Sequence, residues 1–151
     1  MTHDDLLRQR NLATVREFMT LWGPDRGRRR IELAHPEAKV LVQMSPDPAP
    51  GVHDFVWWAH RTAEVFPDYG PTDYELYETE DPNRFIVRTV GAGARVEDDG
   101  THTPVAYPYL YGFLMDSGRI RLFEEHVDEL GRLWPASGVE LTYPTPGNQP
   151  R

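Results

Sequence analysis

A chain of 151 residues can bury one sizeable core but not two, so a single domain over residues 1–151 is expected. Its 24 acidic against 16 basic residues leave a net charge of -8, a field that repels polyanions and argues against nucleic acid as a partner. The absence of cysteine excludes a disulfide framework, a thiolate metal site and a thiol nucleophile, and fits a cytoplasmic location.

From Asp4 onward, Leu12, Val15, Phe18, Met19 and Trp22 recur at spacings of three and four, which predicts an amphipathic helix capped by Asp and ended by Gly23-Pro24. The acidic start and the lack of any long apolar run predict neither a signal peptide nor a membrane span. A basic cluster follows at Arg26, Arg28, Arg29 and Arg30. Such a run serves either as a solvated face or, with one arginine turned inward, as a bidentate grip on a carboxylate.

Val40, Val42 and Met44 alternate with Leu41 and Gln43 and predict a short strand, followed by a proline-rich loop over Ser45 to Gly51. Asp54 is placed to cap a second helix running to about Val65, with an inward stripe of Phe55, Trp58 or Ala59, Thr62 and Val65-Phe66. A threonine on such a stripe most often bonds the carbonyl one turn back, and His60 falls off the stripe. Two strands, Asp73 to Glu80 and Arg84 to about Arg95, flank Asp81-Pro82-Asn83 as a hairpin, and Gly91-Ala92-Gly93-Ala94 predicts a bend. Asp128 to Trp134 suggests a short closing helix, and residues 136–151 a Pro/Gly-rich tail.

The most informative stretch is the strand pair from Tyr107 to Asp128 around the turn Asp116-Ser117-Gly118-Arg119. Tyr107, Tyr109, Tyr111 and Phe113 share one face of the first strand; Phe123, Glu125 and Val127 share one face of the second. If that face points inward, Glu125 is desolvated and its pKa rises into the range useful for general acid or base work. A rim carboxylate paired with Arg121 or His126 is the competing reading. Helices followed by long curled strands give an α+β domain, a cone-shaped antiparallel sheet closed at one end by helices. Its pocket would be lined by the aromatic strand, Trp58, Thr62 and Trp22, with Glu125 beneath.

The segment Leu7 to Val15, Phe66-Pro67-Asp68-Tyr69, the run Tyr77-Glu78-Thr79-Glu80-Asp81-Pro82-Asn83-Arg84-Phe85 and the turn Gly118-Arg119-Ile120-Arg121 resemble the PhzA/PhzB phenazine-biosynthesis family, within the SnoaL-like, nuclear-transport-factor-like superfamily. The match runs from about Asp5 to Pro144, and the Tyr77 to Phe85 run is its most diagnostic part. The resemblance implies a curved-sheet cone, a homodimer joined through the open sheet, and no metal or organic cofactor. It also implies condensation of two amino-oxo-cyclohexene carboxylic acids toward a phenazine-type tricycle. The family's glutamate acid/base matches Glu125 without a gap from Phe66 onward, its inward arginine is best matched by Arg29 and next by Arg26, and its helix hydroxyl by Thr62. One turn before that hydroxyl the family has a substrate-contacting histidine, where this chain has Trp58. Tryptophan offers an apolar face and one donor and cannot become a cation, which weakens the grip on a carboxylate.

The candidate site is therefore Glu125 and Arg29 for catalysis, with Thr62, Trp58, Tyr107, Tyr109, Tyr111, Phe123 and Trp22 around a small cyclic or aromatic ketone substrate. The alternatives are a superfamily isomerase or cyclase acting on another ring, and a ligand-binding dimer without turnover. Metal catalysis ranks below these, since His3, His35, His53, His60, His102 and His126 form no ligand motif.

Overall fold

The computed structural model describes residues 1–42 and 51–127. The expectations for Gln43 and Met44, for the loop over 45–50, for a closing helix at Asp128 to Trp134 and for the tail over 136–151 lie outside these residues.

Helix α1 (His3–Phe18) starts from a capping box: Thr2 accepts from the Asp5 amide and the Asp5 carboxylate accepts from the Thr2 amide. It stops four residues before Trp22 because the Thr20 and Leu21 amides bond to Glu17 and Phe18 in tighter turns that leave the α path. A single 3₁₀ turn (Pro24–Arg26) leads into α2 (Gly27–Leu33), and α3 (Phe55–Val65) comes later in the chain. Asp54 flanks α3 as expected, but its carboxylate pairs with Lys39 instead of capping the helix.

The strands are β1 (Ala34–Val42), β2 (Gly51–Asp54), β3 (Gly70–Glu78), β4 (Arg84–Val96), β5 (His102–Asp116) and β6 (Arg119–Val127). They form one open sheet in the order β2-β1-β6-β5-β4-β3. All neighbours are antiparallel except β1 and β6, so the α+β sheet is mixed where a purely antiparallel one is expected. The β5–β6 turn has positive φ at Ser117 (53°) and Gly118 (84°), the geometry that matches strand twist across a two-residue hairpin. Asp116 and Arg119 close its register.

One sheet face carries Val40, Val42, Phe85, Val87, Tyr111, Phe113 and Phe123, all nearly inaccessible, and α1 and α3 lie over it. Phe18 of α1 joins them, with its ring within 5.0–6.4 Å of Trp22, Phe55, Trp58, Phe113 and Phe123. Each aromatic of this kind removes enough apolar area from water to contribute about 2–3 kcal/mol. Two of the four stretches that carry the resemblance are joined through α1. Arg8 donates to the carbonyls of Thr79 and Glu80, and the buried Asn11 amide donates to Pro82 O and Asn83 Oδ1. Those motif residues thus tie α1 to the β3–β4 turn.

Candidate active site

Glu125 sits two residues before the end of β6, with Tyr111 of β5 as its partner on one side and Val42 of β1 on the other. The alternation of Phe123, Glu125 and Val127 turns it to the inner face, where it is 7% exposed. The rim alternative does not occur: Arg121 pairs with Glu37, and His126 lies 3.9 Å from Glu124. Burial pushes the Glu125 carboxyl up to about 7, against a hydrogen bond from Trp58 and the charge of Arg30, which both favour the ionised form. Trp58 Nε1 donates to Glu125 Oε2 at 3.4 Å, a long bond that orients the carboxylate without quenching it.

The inward arginine is Arg30 and not Arg29. Arg29 lies half-exposed on α2, where Glu17 holds it through Nε at 2.6 Å and Glu32 through Nη1 at 3.2 Å. Arg26 is exposed. Gly27, Arg30 and Leu33 form the buried face of the seven-residue helix, and Arg30 is 1% exposed. Its guanidinium stacks over Trp22 at 5.3 Å and Trp58 at 5.2 Å. Burial lowers its pKa to about 10, opposed by Glu125 and Tyr111, so it stays charged at neutral pH. Yet its Nε and Nη1, together with the buried Nε1 of Trp22, find no acceptor among the described residues. An unmet buried donor is costly, and Arg30 and Trp22, in contact through the guanidinium over the indole, carry three of them.

Tyrosine rings line the side of the site toward β4. Tyr111 stacks on Trp22 (5.9 Å, 16° between planes), and Tyr109 lies 5.0 Å from Tyr111. Tyr107 is half-buried next along the row, 6.5 Å from Tyr109. The Tyr69 hydroxyl donates to that of Tyr109 at 2.6 Å. Burial holds the phenols of Tyr69 and Tyr111 well above their usual pKa, so both face the site as neutral hydroxyls. Tyr69 reaches this position because residue 91 is glycine: a Cβ there would meet the Tyr69 hydroxyl at 2.5 Å.

Phe123 is wholly buried among Phe18, Trp58, Tyr111 and Phe113 and forms the floor under the carboxylate. The Thr62 hydroxyl is turned back onto its own helix, donating to the carbonyls of Trp58 (2.8 Å) and Ala59 (3.3 Å). Of the nine side chains named from the sequence, the structure gathers Glu125, Trp58, Tyr109, Tyr111, Phe123 and Trp22; Tyr107 lies at the end of the row, Thr62 bonds inward, and Arg29 points away. Arg30 belongs to the arginine cluster whose inward member the sequence leaves open, and Tyr69 is not named from the sequence as a site residue. Counting back three from the apolar Leu33 finds Arg30, and the Gly91-Ala92-Gly93 run signals that something bulky packs there.

A separate open groove of about 880 Å³, lined by Ile31, His35, Phe55 and Trp57 among others, contains no buried charged group. Among the described residues no three His, Asp or Glu side chains cluster to hold a metal, and no helix is long and apolar enough to cross a membrane.

The chain shares 30% identity with phenazine biosynthesis protein PhzA of Pseudomonas fluorescens, covering 84% of this chain and 80% of that relative. The crystal structure of a phenazine biosynthesis-related protein (phzb2) from Pseudomonas aeruginosa superposes with a TM-score of 0.74 at 24% identity, over 98% of this chain and 97% of that one. A putative polyketide cyclase from Xanthomonas campestris pv. campestris shares the fold at a TM-score of 0.64 and 13% identity, over 79% and 90% of the two chains. The model of the family described as phenazine biosynthesis protein A/B matches residues 1–142, so the chain belongs to that family.

Proposed function

We propose that this protein is a cofactor-independent acid/base enzyme of small-molecule biosynthesis, a single-domain cytoplasmic homodimer. It joins an amine to a carbonyl on cyclic amino-ketone carboxylic acids, toward a phenazine-type tricycle. The observation that carries the reading is a titratable carboxyl in a dry, ring-walled position beside a buried guanidinium whose Nε and Nη1 find no acceptor among the described residues.

With a pKa near 7, Glu125 populates both protonation states at neutral pH and can give a proton in one step and take it back in the next. The amine nitrogen attacks the ketone carbon while Glu125 protonates the carbonyl oxygen; the nitrogen gives one proton back to Glu125, which passes it to the hydroxyl as water leaves, and the nitrogen's second proton restores Glu125 and leaves a C=N bond. Arg30 takes the substrate carboxylate, helped by Trp22 Nε1, and Tyr109, Tyr111 and the indoles stack on the flat product. Dimerisation through the open side of the sheet is supported by Tyr77 and Ile86, register partners that are 45% and 43% exposed on the outer face.

Incubating the protein with an amino-oxo-cyclohexene carboxylic acid and following the tricycle by mass spectrometry tests the proposal. Condensation faster than in buffer alone is expected; equal rates would refute it. Trp58 favours a second reading, an isomerase or cyclase acting on a ring ketone, because an indole supports a flat ring where the family has a chargeable histidine. Turnover of ring ketones without an amine would move the assignment there.

A further inference from the structure

Only two charged side chains, Arg30 and Glu125, are buried among the described residues. Trp58 touches both, with the guanidinium over its ring at 5.2 Å and its indole N–H donated to the carboxylate at 3.4 Å. Arg30 can compensate one negative charge, and with the site empty that charge is the ionised Glu125. The groups that face Glu125 from elsewhere are Trp58 on α3, and Tyr69 ahead of β3 and Tyr111 on β5, both kept as neutral phenols by burial, with Val42 beside it on β1. No second cation faces Glu125 among the described residues.

We propose that the site holds one negative charge beside Arg30, so that a singly charged cyclic acid binds together with a proton taken up by Glu125. The inference rests on the Glu125–Arg30 site described above and adds to it the charge class of the substrate and the moment at which the acid is armed. The ligand carboxylate takes the unmet donors of Arg30 and Trp22, leaving ionised Glu125 as a second anion in a dry space with no counter-charge. A proton from solvent relieves this. The charges balance: one ligand anion and one proton enter, and Glu125 goes from carboxylate to carboxylic acid. Glu125, only partly protonated at neutral pH in the free protein, is thereby fully loaded as a proton donor once substrate is bound. A dicarboxylate would bring a charge that nothing in the described site compensates.

The test is calorimetric titration of the whole protein with 3-oxocyclohexane-1-carboxylate, in two buffers of different ionisation enthalpy, at pH 8 and pH 5.5. About one proton should be taken up per ligand bound at pH 8 and close to none at pH 5.5, where Glu125 is already protonated. Affinity should fall up to about tenfold per pH unit above 7. Glu125→Gln should take up none at either pH and bind at pH 8 at least as tightly as the parent. No net uptake at pH 8, the same uptake in Glu125→Gln, or no binding of this acid at pH 5.5 would overturn the proposal. Absent uptake in a protein that condenses substrate and loses that activity in Glu125→Gln would remove the linkage alone and leave the proposed chemistry standing.

Discussion

Replacing Glu125 by Gln should lower turnover by about a hundredfold to ten-thousandfold, the usual contribution of a positioned general acid or base, with secondary structure unchanged. The amide has the same shape and can still accept the Trp58 N–H, so the walls from Phe123 to Tyr111 keep their packing. It cannot deliver a proton to a carbonyl oxygen. Arg29→Ala provides the contrast. Arg29 engages Glu17 and Glu32 at the surface, away from the carboxylate, and its loss should leave turnover at the parent level. Steady-state rates of the three proteins decide the matter, and parental activity in Glu125→Gln would end the acid/base account.

The same substitution should stabilise the protein in alkaline solution. The folded state holds the Glu125 proton with a pKa of about 7, against the ordinary 4.5 of an exposed glutamate. The stability this proton confers is complete below pH 4.5, is lost as pH rises toward 7, and stays lost above it. That difference corresponds to about 3 kcal/mol, the cost of keeping an ionised carboxylate dry at pH 8. Glutamine carries no such cost. Denaturant unfolding should show Glu125→Gln more stable than the parent by about 3 kcal/mol at pH 8, roughly 6–12 °C in Tm, and nearly equal to it at pH 4. Equal stability at both pH values would mean that water reaches the carboxylate.

How well the sequence announced this site depended on whether its pattern was local. The aromatic row on β5 and the place of Glu125 between Phe123 and Val127 follow from a period of two, and a tight turn sets the register between the strands. The parallel pairing of β1 with β6 left no such mark, because no turn joins parallel neighbours. Strand β1 also extends back through His35-Pro36-Glu37, polar residues outside the apolar alternation that marks Val40 and Val42. The arginine run hid its inward member because Arg28, Arg29 and Arg30 are chemically identical, and only the phase of a seven-residue helix separates them. Thr62 was legible as a back-bonding threonine from its place on an apolar stripe. Tyr69 was not, since its role depends on a glycine twenty-two residues further along the chain. Periodicity thus identified the carboxylate, whereas its cationic companion is set by the way α2 docks.

The most direct measurement is the titration of Glu125 itself, followed by carbon NMR of the side-chain carboxyl in glutamate-labelled protein and assigned by the signal missing from Glu125→Gln. A midpoint close to 7 is the expected result. A midpoint near 4.5 would show an ordinary solvated carboxylate and contradict the account at its centre.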